Sequence, residues 1–234
     1  MTYRACIVIV GASHQGRIAL DVLRSHQPTA IFKFVDDDQR KHGTTLSGVS
    51  IVGGTQYLLD HRADQASAFI AIGNNDVRCR IGRSLRSAGI RLQNGIHPSA
   101  TLMSEIKMGS NVLICAGAVV VTGCTLEDDC VVNTGTTIDH DSHLHSGAYV
   151  APGVHTAGGV HIGKRAFVGV GSVIGPGVSI GAGAIIGAGS VVLKDIPDSV
   201  FAHGAPARIV RSLTHPVDWT ALLSGRHRRN VSNP

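Results

Sequence analysis

Hydrophobic residues recur at every sixth position along residues 96–197. The leading position of each six-residue unit runs from Ile96 through Leu102 and Met108 to Val192, and only Thr156 interrupts the hydrophobic series. A period of six matches neither an α-helix nor a β-strand, so it indicates an internal repeat. Hexapeptide repeats are typical of a parallel β-helix, in which each unit supplies a short strand and a corner. The pattern therefore predicts a parallel β-helix of about five to six coils, with three units to a coil.

The other positions of the unit agree with this architecture. The fifth position is mostly small or β-branched, as a crowded corner requires, and glycine is frequent where the chain turns. Glycine adopts positive φ at little cost. Residues three units apart should stack in one column, separated by the strand spacing of about 4.8 Å. Position in the sequence thus predicts position in space.

The first 95 residues show a different pattern, in which short apolar runs alternate with amphipathic segments. We predict strands over residues 4–10, 31–35, 49–52 and 67–72, with helices after the first strand and after Asn75. This alternation predicts a half-Rossmann βαβαβ domain. The predicted fold class is therefore mixed, with an α/β domain (1–95), a β-helix (96–211) and a C-terminal tail (212–234).

A glycine-rich turn, GASHQGR, joins the first strand to the first helix at residues 11–17. Free backbone N–H groups and the helix dipole favour an anion at such a turn. The second strand ends in Asp36 and Asp37, which can accept hydrogen bonds from a ribose or a base. Ser13 interrupts the dinucleotide fingerprint, and only half of a doubly wound domain fits in this length. The turn therefore favours a mononucleotide diphosphate over NAD, although glycines that only form a tight turn remain an alternative.

Charge and composition narrow the ligand class. The chain has 234 residues, 43% of them hydrophobic, with 29 glycines and a formal net charge of +5. No long Lys/Arg run occurs before the last residues, so the positive charge favours a small anionic ligand over nucleic acid. Five cysteines without a CxxC pair predict buried, reduced thiols. We find no signal peptide, lipidation motif or long apolar run, and we expect a cytoplasmic protein with no membrane partner.

Seven motifs occur in the order known from one enzyme family: GASHQGR, the DDD after the second strand, AIGNNDVR, IHPSA, NTGTTIDHD, AGGVHIG and HGAPARIV. With them the chain resembles the sialic acid O-acetyltransferase-type and nucleotide-sugar N-acetyltransferase family of hexapeptide-repeat acyltransferases, over residues 5 to about 211. The resemblance implies a left-handed β-helix and a homotrimer with active sites between neighbouring β-helices. It also implies acetyl-coenzyme A as donor and a nucleotide sugar held by the N-terminal domain.

The resemblance assigns roles to individual residues. Acetyl transfer to an amine needs a base near the attacking nitrogen and a donor for the oxyanion of the tetrahedral intermediate. His140 occupies the position of the base, Asp141 orients it, and the backbone N–H of Gly158, one coil later, is the oxyanion donor. The implied acetyl-coenzyme A set is Gly158, Gly159, Val170, Gly171 and Ala188. The implied nucleotide-sugar set is Gly11, Ser13, His14, Gln15, Arg17, Asp36, Asp37 and Asn133.

Two positions depart from the family pattern. Arg17 replaces a lysine in the glycine-rich turn, and it can bind phosphate with fork geometry. Tyr149 replaces a second histidine, so it must act differently. His143 and His161 share a column, and some trimeric β-helices bind zinc through histidines. Because the acyltransferase motifs account for His140 without a metal ion, we expect no metal.

The sequence thus predicts an N-acetyltransferase that acts on the amino group of a nucleotide-linked 4-amino-6-deoxy sugar for surface glycan synthesis. O-acetylation of a sugar such as sialic acid is one alternative. A non-catalytic trimer that only binds a nucleotide sugar is another, but loss of the His140–Asp141 pair would be its signature, and the pair is present.

Overall fold

The computed structural model describes residues 5–61 and 67–214. Its N-terminal region is an α/β unit, and a parallel β-helix follows. The elements of the α/β unit are β1 (Cys6–Val10), α1 (His14–His26), β2 (Ile31–Val35), a 3-10 turn (Gln39–Lys41), β3 (Thr45–Leu46), β4 (Val49–Ser50), α2 (Tyr57–Asp60), β5 (Ser67–Ile70) and α3 (Asn75–Ser87).

The α/β unit is built on a three-stranded parallel sheet in the order β2-β1-β5. Helix α1 packs its apolar face on this sheet through Ala19, Leu20 and Leu23, which are completely buried. Gly16 is required in this helix because a Cβ there would overlap the carbonyl oxygen of Gly11. The close approach of helix and strand places the N-terminus of α1 at the carboxyl end of the sheet.

The predicted strand over residues 49–52 differs from the structure. Only Val49–Ser50 is a strand, and it pairs with β3 in an antiparallel hairpin. Ser47 and Gly48 both have positive φ, which is the conformation of the two-residue turns that join hairpins. A single parallel bridge between Ile51 and Phe34 links this segment to the main sheet.

The β-helix contains seventeen strands of two residues each. They are β6 (Gly95–Ile96), β7 (Thr101–Leu102), β8 (Lys107–Met108), β9 (Leu113–Ile114), β10 (Val119–Val120), β11 (Thr125–Leu126), β12 (Val131–Val132), β13 (Thr137–Ile138), β14 (His143–Leu144), β15 (Tyr149–Val150), β16 (His155–Thr156), β17 (His161–Ile162), β18 (Phe167–Val168), β19 (Val173–Ile174), β20 (Ser179–Ile180), β21 (Ile185–Ile186) and β22 (Val191–Val192).

Every strand pairs with the strand three units away, so three parallel sheets form. The first sheet contains β6, β9, β12, β15, β18 and β21, the second runs from β7 to β22, and the third from β8 to β20. Each register joins residues 18 apart, for example His143 with His161. The predicted fold class, an α/β unit followed by a β-helix of hexapeptide repeats, is confirmed.

The leading aliphatic residue of each unit is the second residue of its strand and points into the core. From Ile114 to Val192 these side chains are almost completely buried. Thr156, the exception in the repeat, is also buried, and its Oγ1 accepts a hydrogen bond of 3.0 Å from the backbone N–H of Asp139. Thr156 thus breaks the hydrophobic pattern, but its hydroxyl fixes the backbone at Asp139, one residue before His140.

Three corners join the sheets. The first corner lies between the first and second sheets and includes residues 133–136, 151–154, 169–172 and 187–190. The second corner lies between the second and third sheets and includes residues 121–124, 139–142 and 157–160. The third corner lies between the third and first sheets and includes residues 109–112, 127–130, 145–148 and 163–166.

The α/β unit docks on the third corner through a buried arginine. Arg78 of α3 is only 1% exposed, yet its Nε donates to the Asp129 carbonyl at 2.9 Å. Its Nη2 donates to the Gly147 carbonyl at 3.0 Å and to Asn75 Oδ1 at 2.8 Å. The side chain of Asn75 in turn donates to the carbonyl of Arg165. These contacts join α3 to three successive coils.

A hairpin follows the last coil. Strand β23 (Val200–Gly204) continues the first sheet beside β21, and β24 (Ala207–Ser212) pairs with it in the antiparallel direction. All but three residues of the predicted C-terminal tail lie outside the described residues. Every helix within the described ranges is too short or too polar to span a bilayer.

The five cysteines are free of disulfides, and four of them are buried. Cys124 and Cys130 stand at the small fifth position of their units, where each is completely buried. Burial raises the pKa of the Cys115 thiol to about 12. The prediction of buried, reduced thiols is therefore met by four of the five side chains.

Candidate active site

His140 projects from the second corner, where the chain passes from β13 to β14. The backbone N–H of His140 donates to Asp139 Oδ1 at 2.8 Å, and Thr156 holds the N–H of Asp139. Hydrogen bonds thus hold the backbone N–H groups of both Asp139 and His140. The side chain itself is 58% exposed and stands at the surface of the β-helix.

Asp141 lies directly beside this imidazole. Its φ of +57° places it at the turn position that glycine occupies in many other coils, and its N–H donates to the Thr122 carbonyl at 3.1 Å. Gly123 leaves room for the carboxylate, because a Cβ there would crowd Asp141 Oδ1. Asp141 Oδ2 lies 2.9 Å from His140 Nδ1. This hydrogen bond raises the pKa of His140 above its ordinary value.

Gly158 lies against the opposite edge of the same ring. A Cβ at this residue would overlap Nε2 and Cε1 of His140, so the absence of a side chain makes room for the imidazole. The Gly158 N–H has no hydrogen-bond partner within the described ranges, whereas the next N–H, of Gly159, donates to the His140 carbonyl at 2.8 Å.

The residues expected to hold acetyl-coenzyme A fall into two groups in one chain. Gly158 and Gly159 lie on the second corner with His140. Val170, Gly171 and Ala188 lie on the first corner, where Val170 is 53% exposed and the N–H of Gly189 donates to its carbonyl. The second sheet separates the two groups, because it joins the first corner to the second.

A cavity of about 540 Å³ opens at the carboxyl end of the α/β sheet. Four of the predicted nucleotide-sugar residues line it, together with α3 side chains that the sequence did not suggest. The predicted members are Gly11, Ser13, Asp36 and Asp37, and the additional ones include Val77, Arg80 and Ser84. The first helix presents its N-terminus here, with no acidic residue in its first turn and no side-chain cap from Ser13.

The two aspartates after β2 have different tasks. Both oxygens of Asp36 are used inside the protein, with Oδ2 accepting from the Ala12 N–H at 2.9 Å and from Lys41 at 2.8 Å. Burial opposes ionisation of Asp36, but the hydrogen bonds from Lys41 and two backbone amides lower its pKa. Asp37 is exposed and uses one oxygen for the Thr55 N–H at 2.7 Å. Asp37 therefore keeps acceptor capacity for a ligand, whereas Asp36 shapes the loop.

His14, Gln15 and Arg17 belong to the first turn of α1 but do not line the cavity. His14 and Arg17 are exposed. Gln15 instead faces the β-helix, where its Oε1 accepts a long hydrogen bond of 3.4 Å from the Tyr149 hydroxyl. Arg80, on the cavity wall, is the cation that sequence reasoning missed. Arg80 is exposed, and its spacing of three residues from Val77, on the side of α3 that lines the cavity, could have indicated it.

Asn133 and Tyr149 form a pair away from His140. Asn133 is 4% exposed on the first corner, and its Nδ2 donates to the Tyr149 hydroxyl at 2.9 Å. Tyr149 lies on the first sheet, with its ring 5.7 Å from the Arg78 guanidinium carbon. Burial raises the pKa of this hydroxyl, so it remains neutral. Tyr149 therefore helps to join the α/β unit to the β-helix, and Asn133 supports it.

Comparison with known proteins identifies the two halves of the chain separately. Residues 6–85 match the PglD N-terminal domain family. Residues 105–140 match the hexapeptide repeat of succinyl-transferase, and residues 159–194 match the bacterial transferase hexapeptide of six repeats. No curated protein sequence matches the chain.

Solved structures match nearly the whole chain. A point mutant of perosamine N-acetyltransferase from Caulobacter crescentus, solved with CoA and GDP-perosamine, is 37% identical and superposes with a TM-score of 0.84 over 89% of this chain and 98% of that chain. This chain belongs to the hexapeptide-repeat nucleotide-sugar acetyltransferases. The predicted family is confirmed.

Two further members of the family have the same architecture. The acetyltransferase domain of PglB from Neisseria gonorrhoeae, solved with acetyl coenzyme A, is 30% identical with a TM-score of 0.83, over 89% of this chain and 100% of that chain. WeeI from Acinetobacter baumannii is 29% identical with a TM-score of 0.82, over 88% and 100%. The α/β unit and the β-helix are therefore shared as a pair across this acetyltransferase family.

Proposed function

We propose that this acetyltransferase transfers an acetyl group from acetyl-coenzyme A to the amino group of a nucleotide-linked 4-amino-6-deoxy sugar. The observation that carries the proposal is the arrangement of His140, which has a carboxylate at Nδ1. Beside its other edge lies the backbone N–H of Gly158, which is unpaired among the residues that the structure describes. The likeness to a perosamine N-acetyltransferase bound to CoA and GDP-perosamine supports this acceptor class.

His140 is the proposed general base. Asp141 accepts a hydrogen bond from Nδ1–H, so the proton stays on Nδ1, and Nε2 keeps its lone pair and can take a proton from the attacking nitrogen. As the nitrogen–carbon bond forms, the thioester oxygen becomes an oxyanion, for which the free N–H of Gly158 is the proposed donor. When the carbon–sulfur bond breaks, the proton passes from Nε2 to the thiolate and yields free coenzyme A. The proton that leaves the nitrogen thus ends on the coenzyme A thiol, and no other cofactor is needed.

The cavity at the carboxyl end of the α/β sheet is the proposed nucleotide site. An open helix N-terminus favours a diphosphate, and Arg80 adds a guanidinium on the cavity wall. Asp37 can accept hydrogen bonds from the ribose or the base. The proposed division of labour gives nucleotide binding to residues 1–95 and acetyl transfer to residues 96–211.

A homotrimer is the proposed active form. The α/β unit docks on the third corner, whereas His140 stands on the second corner of the same chain. The coenzyme A residues are likewise divided between the first and second corners. If neighbouring β-helices face each other across a groove, the first corner of one chain can meet the second corner of another. A partner copy would then complete each site.

The enzyme is proposed to act in the cytoplasm on a precursor of a surface glycan. Five cysteines without disulfides fit a reducing compartment. Acetyl-coenzyme A and sugar nucleotides are both intracellular substrates by chemical class, since each carries phosphates that do not cross a bilayer unaided.

A thiol-release assay tests the function. Purified protein would be incubated with acetyl-coenzyme A and GDP-, UDP- or dTDP-linked 4-amino sugars, beginning with GDP, and with the parent hydroxyl sugars as matched controls. We expect turnover with the amino sugars of one nucleotide only. Turnover with the hydroxyl controls alone would indicate O-acetylation, and nucleotide-sugar binding without thiol release in any pair would indicate a non-catalytic trimer.

A further inference from the structure

Three imidazoles and one carboxylate meet on the outer face of the third sheet. His143 and His145 flank Leu144 of β14, so both point outward, as alternate residues of a strand do. Glu127 lies one coil before His145, and His161 lies one coil after His143. Side chains from three consecutive coils therefore converge in one place.

The three imidazoles are close enough to share an ion. One nitrogen from each of His143, His145 and His161 lies within 4.8 Å of the others. A tetrahedral zinc site with Zn–N bonds of about 2.0–2.1 Å needs ligand nitrogens about 3.4 Å apart. His161 is exposed, so a small side-chain rotation can close the remaining gap.

Glu127 orients two of these rings. Its Oε1 lies 2.9 Å from His143 Nε2 and 3.0 Å from His145 Nδ1. The other oxygen accepts hydrogen bonds from the backbone N–H and the hydroxyl of Ser146, at 2.9 and 2.6 Å. Each of the two rings thus keeps a second nitrogen, which is the arrangement of a carboxylate–histidine–metal site.

The charge of the cluster also favours a cation. Within residues 5–61 and 67–214, the ion-pair partners of Glu127 are the two histidines, and neither a lysine nor an arginine lies within ion-pair distance of it. The carboxylate is 31% exposed, and a divalent ion bound by the three rings would bring positive charge close to it.

We propose that His143, His145 and His161 bind one divalent transition-metal ion, with Glu127 holding two of the rings in place. Three imidazoles suit zinc, copper or nickel, and zinc is the ion to test first. A water molecule can take the fourth position. The ion would have no part in acetyl transfer, so His140 would still act without a metal, although a bound ion departs from our expectation of no metal.

The position of the cluster gives the ion a structural task. His143 follows His140 by three residues, and His161 follows Gly158 by three residues. A shared ion would tie together the two coils that carry the proposed base and the proposed oxyanion donor. This consequence rests on the proposed function, whereas the metal site itself does not.

Zinc titration of the tag-free, full-length chain after EDTA treatment tests the proposal. We expect saturable binding of about one zinc per chain and a rise in melting temperature when zinc is added. His161→Ala removes the exposed ligand and leaves the core intact, and we expect it to weaken binding by about a hundredfold or more. His155→Ala is the matched control, since His155 is an exposed histidine on the second sheet outside the cluster.

Cobalt provides an independent readout. The Co²⁺-loaded chain should show the intense visible absorption of four-coordinate cobalt, which His161→Ala should lose and His155→Ala should keep. Glu127→Gln should weaken zinc binding by about tenfold, as expected for a residue that orients ligands. Circular dichroism would check that each variant is folded.

Equal zinc affinity in His161→Ala and His155→Ala would overturn the proposal, and so would the absence of saturable binding in the parent chain. Both readouts are independent of acetyl transfer. If the thiol-release assay fails with every acceptor while zinc still binds, the proposed function falls and the metal site stands.

Discussion

The second and third corners of the β-helix are made from the same hexapeptide, but they have opposite surroundings. The third corner is covered by the α/β unit, and its polar groups are satisfied by Arg78, Asn75 and Arg86. The second corner carries the exposed pair of His140 and Asp141 in a frame of glycines. The same repeat therefore serves two purposes: one corner holds the α/β unit, and another carries the proposed catalytic pair.

The third corner depends on buried hydrogen bonds, whose donors and acceptors cannot bond to water instead. Arg78 is buried with acceptors from both parts of the chain, and Asp129 beside it is 1% exposed and bonded to Arg86. Removing a buried donor leaves its acceptors unsatisfied. By contrast, the polar side chains of the second corner are exposed to solvent. Substitutions there should therefore change activity and leave stability nearly unchanged.

Arg78→Ala should have the largest effect on the molecule. We expect the free energy of unfolding to fall by about 3–5 kcal/mol, because carbonyls in both parts lose their donor and a cavity remains. Chemical denaturation would measure this change. Arg83→Ala is the matched control, since Arg83 is exposed on the same helix, and it should stay within about 0.5 kcal/mol of the parent. Similar stabilities for both variants would show that the third corner does not depend on its buried arginine.

His140→Ala should lower turnover by at least about a hundredfold, as expected for loss of a general base. The thiol-release assay would measure it, with the melting temperature as a check that the fold is unchanged. His155→Ala, an exposed histidine of the neighbouring β16 that is not at the corner, should retain normal turnover. Near-normal activity without the His140 imidazole would remove it from the mechanism.

Gly158→Ala should reduce turnover by roughly 10- to 100-fold, since the new Cβ would displace the His140 ring from its position. A double-mutant cycle sharpens this test. In the His140→Ala background the ring is absent, so the second substitution should cost little more. Additive losses would mean that Gly158 acts independently of the imidazole.

Asp141→Asn should have the smallest effect, about fivefold on turnover, because the pair is exposed and solvent screens it. The pH profile is the more informative readout. The carboxylate raises the pKa of His140, and only the neutral ring accepts a proton, so the rate rises as the pH passes upward through that pKa. In the asparagine variant this rise should move to lower pH. An unchanged profile would show that Asp141 does not tune the base.

Much of the β-helix was predictable, because its repeat is local. The period of six places Gly158 one coil after His140, and the structure brings the two together as expected. The exception at Thr156 could not be interpreted from the sequence. Its hydroxyl holds the Asp139 N–H, a contact with a residue in the preceding coil that becomes visible only when the coils are stacked.

The residues that line the cavity of the α/β unit were predicted in part but not in detail. The turn at Gly11 and the acidic end of β2 do line one cavity. The sequence could not distinguish Asp36 from Asp37, because the difference depends on Lys41 and Thr55 from other loops. It also could not show that Gln15 turns towards Tyr149 and away from the cavity.

The sequence by itself determined the β-helix, the α/β unit, the family and the place of the His140–Asp141 pair, since periodicity and short motifs are properties of neighbouring residues. Only the tertiary structure decided which corner the α/β unit covers, how the residues proposed for coenzyme A divide between corners, and that Glu127 joins His143 and His145 in one cluster. The physical reason is that these arrangements depend on buried hydrogen bonds and side-chain contacts between segments far apart in the chain, and no local pattern encodes them.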